Sequence, residues 1–165
     1  MKRAGILVVF LMFWYSSAQA QVPSPVTLEI GPRVGYDVGD DIQEAFLGVD
    51  ARLAIMMLPI DFQATFDYYF TEENMTFWQL GLHALLSFGP GVAFTPYVGG
   101  GLGIARTSVS IGELNVSDTD TAVNLIGGAR FGIGPVRPFV QAQITVGGDA
   151  DLVTLAGGLL FKFGP

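Results

Sequence analysis

From Thr27 to Phe163 apolar residues alternate with polar or small ones at a period of two, and seven interruptions cut this pattern into eight segments. The plainest is 60–70, where Ile60, Phe62, Ala64, Phe66, Tyr68 and Phe70 oppose Asp61, Gln63, Thr65, Asp67 and Tyr69. Successive side chains of a strand point to opposite faces, so each segment predicts a strand with one apolar and one polar face. In 27–37, Leu28, Ile30, Val34 and Tyr36 oppose Glu29, Gly31, Arg33 and Gly35; in 45–56, Leu47, Val49, Ala51, Leu53 and Ile55 oppose Gly48, Asp50 and Arg52. Segment 76–88 sets Trp78, Leu80, Leu82 and Phe88 against Gln79, Gly81, His83 and Ser87, and 94–108 sets Val98, Leu102 and Ile104 against a stripe of Gly99, Gly101 and Gly103. The last three, 121–133, 136–147 and 152–163, oppose Asn124, Gly128 and Arg130, then Arg137, Gln141 and Gln143, then Thr154, Gly158 and Lys162 to rows of Val, Leu, Ala, Ile and Phe.

The connections alternate as well. Leu58-Pro59, Gly89-Pro90-Gly91 and Gly134-Pro135 are tight turns, whereas 38–44, 71–74, 111–120 and 148–151 are polar and acidic loops. Short turns at one end and longer loops at the other predict an all-β fold, an eight-stranded antiparallel up-and-down transmembrane barrel with both termini on the periplasmic side. Residues 1–20 precede it as an expected cleaved signal peptide. Met1-Lys2-Arg3 is a basic start, 6–15 an apolar core, and Ser16-Ser17-Ala18-Gln19-Ala20 offers small residues to a signal peptidase. The expected division is therefore a signal peptide at 1–20 and one barrel domain at 21–165.

Period two alone suits a soluble barrel equally well, and composition decides between them. Only 14% of the residues are charged while half are hydrophobic, which is low in charge for a water-facing surface. The polar face is Gly, Ala, Ser, Thr and Gln with few charges: Arg33, Arg52, Arg130, Arg137 and Lys162 against Glu29, Asp50, Asp61 and Asp67. Small residues and matched ions fit a narrow filled lumen, since an unpaired buried charge costs several kcal/mol. On the apolar face, Tyr36, Tyr68, Phe70 and Trp78 fall at the loop end, and Phe62, Phe88, Phe94, Phe131, Phe161 and Phe163 at the turn end. Two aromatic belts separated by aliphatic residues are the girdles of a lipid-facing wall.

The mature stretch resembles the small outer-membrane β-barrel family of the OmpA/OmpX type. Thr95-Pro96-Tyr97-Val98-Gly99-Gly100-Gly101-Leu102-Gly103 carries the likeness best, with Arg137-Pro138-Phe139-Val140-Gln141-Ala142 as a second instance; in each a Pro opens a strand and an aromatic follows. The resemblance implies a location in the outer membrane, with its lipids and the barrel-assembly machinery as partners. That machinery reads a C-terminal aromatic in the family; here Gly164-Pro165 follow, leaving Phe161 and Phe163 for the role.

Candidate chemistry is sparse. The absence of cysteine excludes disulfides, thiol nucleophiles, zinc–thiolate sites and a lipoprotein anchor. Loss of Lys2 and Arg3 with the leader takes the net charge from −7 to −9, which leaves no basic patch for nucleic acid. His83, the single histidine, faces the lumen by parity and has Ser87 on the same strand. Outer-membrane enzymes that trim lipid A use such a pair, but four residues of strand separate these two by about 13 Å. Asp40-Asp41, Asp118 with Asp120, and Asp149 with Asp151 could offer oxygens to calcium; no EF-hand spacing supports it, and solvated loop tips are the simpler reading. Gly99–Gly103 lacks the Lys-Ser/Thr of a phosphate loop, so its glycines are expected to make room for bulky neighbours such as Arg130 or Tyr69. The expectation is a monomeric, non-enzymatic barrel without cofactor or metal and with a structural or surface-interaction role. A narrow channel for ions or small solutes and a lipid A-modifying enzyme are the alternatives.

Overall fold

A strand whose one face meets lipid and whose other meets a packed bore cannot leave an edge unpaired, because nothing in the hydrocarbon satisfies free N–H and C=O groups. The computed structural model shows how the chain meets this demand; it describes residues 26–39, 43–55, 58–71, 75–89, 93–111, 114–132, 134–147 and 152–163. The leader with its cleavage site, Asp40-Asp41 and Asp149 to Asp151 lie outside the described residues. The strands are β1 (Val26–Asp37), β2 (Ala45–Ile55), β3 (Ile60–Tyr69), β4 (Met75–Ser87), β5 (Phe94–Ile111), β6 (Leu114–Phe131), β7 (Val136–Val146) and β8 (Leu152–Phe163). Each pairs antiparallel with its sequence neighbours, and β1 pairs with β8 to close an eight-stranded barrel.

The closing seam is reinforced by a buried carboxylate. Asp37, at the loop end of β1, accepts the backbone N–H groups of Gly39 at 3.3 Å, Gln43 at 3.1 Å and, across the seam, Val153 of β8 at 3.1 Å. Register across the wall follows the alternation: Glu29 faces Lys162, Arg52 faces Gln63, and Thr65 faces Gly81.

One expected loop is largely strand. Residues 111–120 read as a polar connection, but β5 and β6 are 18 residues each and run on as a hairpin, with Val109 opposite Val116 and Ile111 opposite Leu114. The physical reason is that Val109, Ile111, Leu114 and Val116 keep the period of two through a serine- and asparagine-rich stretch, and cross-strand pairing satisfies the backbone. On one side β4 accompanies this ribbon as far as Met75 opposite Val109; on the other, β7 stops pairing with β6 at Val146 opposite Val123.

The interior is packed by placing glycine against ring. A Cβ on Gly35 would run into the Phe46 ring, one on Gly128 would stand 2.6 Å from the Tyr97 ring, and one on Gly158 would stand 2.7 Å from Phe139. The stripe of Gly99, Gly101 and Gly103 works the same way with different partners from those expected. Leu85 fills the space beside Gly99, His83 that beside Gly101, and Asn124 with Gln79 that beside Gly103, in place of Arg130 or Tyr69. Antiparallel register explains this: β4 and β6 flank β5, with Gly99 opposite Leu85, Gly101 opposite both His83 and Asn124, and Gly103 one diagonal step from Asn124 and Gln79.

Candidate functional site: the filled lumen

The inward faces stack three polar storeys under an aromatic lid. At the turn end, Glu29 of β1 binds Arg130 of β6 and Arg137 of β7, each at 2.9 Å. Arg130 also reaches Asp61 of β3 at 3.3 Å, and Asp61 accepts the Ser87 hydroxyl at 3.2 Å. Lys162, half-buried at this mouth, forms no ion pair with a described residue although it stands opposite Glu29 in register.

The middle storey is built around Arg52. Its Nε and Nη2 hold the two oxygens of Asp50 at 3.1 Å each, and Nη2 also donates to Tyr97 Oη at 3.1 Å. The guanidinium carbon lies 4.7 Å from the Tyr97 ring centroid and 4.6 Å from that of Phe139, a two-sided cation–π clamp. These two rings are the aromatics of the repeated Pro-x motifs, Pro96-Tyr97 and Pro138-Phe139. Reading the motifs as strand openers missed that both rings turn inward onto the same cation; residue parity held that signal, because each follows an outward proline.

Side-chain amides extend the storey. Gln63 donates to Asp50 Oδ2 at 2.6 Å and to Gln141 Oε1 at 3.1 Å, His83 Nδ1 meets Gln63 Oε1 at 3.2 Å, and Asn124 Nδ2 meets His83 Nε2 at 2.8 Å. With Gln63 Oε1 as acceptor and Asn124 Nδ2 as donor, the contacts match a ring that donates from Nδ1–H and accepts at Nε2. His83 and Ser87 thus have separate partners, Gln63 and Asn124 for the ring and Asp61 for the hydroxyl.

Above, Arg33 binds Asp67 at 3.1 Å and approaches Asp50 at 3.9 Å, and its guanidinium carbon sits 5.4 Å from the Phe46 ring centroid. Phe46, Tyr69 and Phe77 then stack across the bore with centroid separations of 5.0 and 4.9 Å, and Leu152 and Ala156 complete this lid. Phe46, Phe77 and Leu152 were not among the residues singled out from sequence, and neither was Asp37. The ion pairs of the bore thus fall into two groups of two arginines and two carboxylates each, Arg33, Arg52, Asp50 and Asp67 in one and Arg130, Arg137, Glu29 and Asp61 in the other, while an apolar layer crosses it at the loop end.

The outer wall carries the aromatic belts. Tyr36, Tyr68 and Phe70 at the loop end and Phe62, Phe88, Phe94, Phe131, Phe161 and Phe163 towards the turn end are all exposed, with Trp78 half-buried against Phe66 at 6.0 Å between centroids. An apolar exposed wall around a charged buried bore is the inverse of a water-soluble barrel. Among the described residues no three metal-ligating side chains gather into a site, so Asp118 and Asp120 form no cluster of that kind; no helix among them is long and apolar enough to cross a membrane.

The family described as outer membrane protein beta-barrel domain matches residues 10–159. The chain belongs to that family. Its place is accordingly the outer membrane. As an outer-membrane β-barrel it is similar in fold to the N-terminal β-barrel domain of Pseudomonas aeruginosa OprF, with a TM-score of 0.69 at 16% identity over 83% of this chain and 97% of that one. Ail, the attachment invasion locus protein of Yersinia pestis, gives 0.62 at 15% identity over 84% and 97%, and Neisserial surface protein A gives 0.59 at 14% identity over 84% and 95%. No curated protein matches the chain. At such identities the likeness conveys the eight-stranded architecture and leaves the lumen residues to be argued from this barrel's own geometry.

Proposed function

We propose that this outer-membrane barrel is a structural and surface-interaction protein, exported through its first twenty residues, which spans the bilayer as a plugged cylinder and presents acidic connections outside the cell. The observation that carries this reading is the Arg52 clamp. A guanidinium gripped by Asp50 between two rings fills the centre of a bore that eight strands make only wide enough for side chains. Above it the Phe46–Tyr69–Phe77 lid closes the loop end. Purified protein in planar bilayers is expected to give no current steps above the lipid baseline. Frequent steps of uniform size would refute the plugged reading.

Narrow conduction is the second reading, and one observation favours it. Tyr69 Oη, Gln79 Oε1, Gln143 Oε1 and Asn124 Oδ1 are buried without a hydrogen-bond partner among the described residues, a pattern that suits water within the bore. We read the barrel as non-catalytic. Both ring nitrogens of His83 are occupied by amide side chains, and Ser87 is bonded to Asp61, so the histidine is not placed to activate the serine. Lipid A extracted from cells that express the protein is expected to keep its acyl chains by mass spectrometry; loss of a chain would overturn this.

A further inference from the structure

Of the six cations between residues 21 and 165, five line the bore and one, Arg106, stands on the outer wall. It is the only formal charge among the described outward-facing residues of the eight strands. Its position is specific. On β5 it lies opposite Trp78 of β4 on one side and Thr119 of β6 on the other, one outward step beyond Ile104, where the aliphatic wall ends. Tryptophan marks headgroup depth in a membrane wall, and Phe66, Tyr68 and Phe70 complete the belt there. The side chain is exposed, and its Nη2 donates to Ser117 Oγ at 3.2 Å. Among the described residues no carboxylate lies within ion-pair distance of it.

The ribbon sorts charge by face. Asp118 and Asp120 stand opposite Thr107 and Ala105, and Ala105 packs against the inner aromatic lid, so the acids lie on the mouth side. The lipid side holds Arg106 with the hydroxyls of Ser108, Ser117 and Thr119. In a chain with a net charge of −7, an isolated guanidinium among hydroxyls at headgroup depth is complementary to a phosphate carried on a sugar. Guanidinium binds phosphate through parallel N–H···O bonds, and hydroxyls serve the sugar oxygens.

We propose that the lipid-facing base of the β5–β6 ribbon, centred on Arg106 beside Trp78, seats the phosphorylated headgroup of an outer-leaflet glycolipid. This rests on the orientation in the proposed function, with the loop end outside the cell.

The chain carries a reporter for the test. With Trp14→Phe in the full chain, Trp78 is the single tryptophan and stands opposite Arg106. The protein is folded into zwitterionic phospholipid vesicles containing increasing fractions of phosphorylated lipid A, dephosphorylated lipid A or phosphatidylglycerol, and Trp78 emission is followed. Phosphorylated lipid A is expected to reach its half-effect at about a fivefold lower fraction than either other lipid, corresponding to about 1 kcal/mol for one basic residue at an anionic surface. Arg106→Gln is expected to abolish that difference, and Arg106→Lys to keep part of it. Equal half-effects for the phosphorylated and dephosphorylated lipids, or an Arg106→Gln curve superposing on the parent, would overturn the site. An equal response to phosphatidylglycerol would reduce it to unspecific charge attraction and also overturn it. Gel migration with and without boiling separates the two levels: a heat-shifted band with a failed titration removes the headgroup seat alone, whereas a missing shift removes the membrane-barrel reading and the seat with it.

Discussion

Replacing Arg52 by methionine tests whether the lumen network holds the barrel together or only decorates it. The substitution keeps a long apolar stem but deletes two 3.1 Å bonds to Asp50, the 3.1 Å bond to Tyr97 and both ring contacts. Removing one partner of a buried pair costs about 3–5 kcal/mol, because the other charge is left uncompensated. Asp50 retains Gln63 at 2.6 Å and Arg33 at 3.9 Å, which places Arg52→Met at the low end, about 3 kcal/mol. Asp50→Asn leaves Arg52 between its two rings, and about 2–3 kcal/mol is expected for it. The double variant buries neither charge, so its cost should fall short of the sum by about 2–3 kcal/mol, the coupling of residues in one network. Urea titration of protein folded in lipid vesicles, followed through Trp78 emission, measures all four corners of the cycle. Additivity within about 0.5 kcal/mol would refute the argument, as would an Arg52→Met barrel as stable as the parent.

Two further predictions separate the faces of the wall. Gly127 and Gly128 are adjacent, but a Cβ on Gly128 meets the Tyr97 ring whereas one on Gly127 meets nothing within 4 Å. Gly128→Val is expected to cost about 1–3 kcal/mol by overpacking, and Gly127→Val to be neutral or to gain up to about 1 kcal/mol by removing a flexible residue from a strand; the same urea titration ranks them, and equal effects would sink the glycine-against-ring account. Leu82→Arg places a charge on the exposed wall in the middle of β4, with an expected cost of about 2–4 kcal/mol in lipid. Unchanged stability in vesicles would mean that this wall faces water.

How much of this was legible depended on whether a property is set by parity or by pairing. Parity alone puts Glu29, Arg33, Asp50, Arg52, Asp61, Asp67, His83, Arg130 and Arg137 in the bore, because a one-residue slip would turn every one of them to lipid. It cannot say that Arg52 chooses Asp50, two positions away on its own strand, while Arg33 takes Asp67 from β3. Those choices depend on tilt and on which neighbours are small, information spread over several strands. The missed hairpin extension failed for a different reason. Outside the bilayer no solvent contrast enforces a one-sided apolar row, so Val109, Ile111, Leu114 and Val116 looked like scattered loop residues, although their spacing is that of the strands.

Arg52 also shows what the repeated Pro-aromatic motif does beyond opening a strand. The aromatic after each proline stands apart from the girdle rings of the outer wall. Pro96 and Pro138 occupy outward positions, so Tyr97 and Phe139 must turn inward, where a ring needs free space on the facing strand. Gly128, opposite Tyr97, and Gly158, opposite Phe139, supply that space. Ring, opposing glycine and shared cation form one packing unit repeated on two strand pairs, β5–β6 and β7–β8. Such a unit ties the strand register to the position of Arg52: a slip of either pair would drive a ring into backbone and release one face of the clamp. The plug and the wall are therefore specified by the same residues, and chain positions that outwardly serve only the fold also set what fills so narrow a lumen.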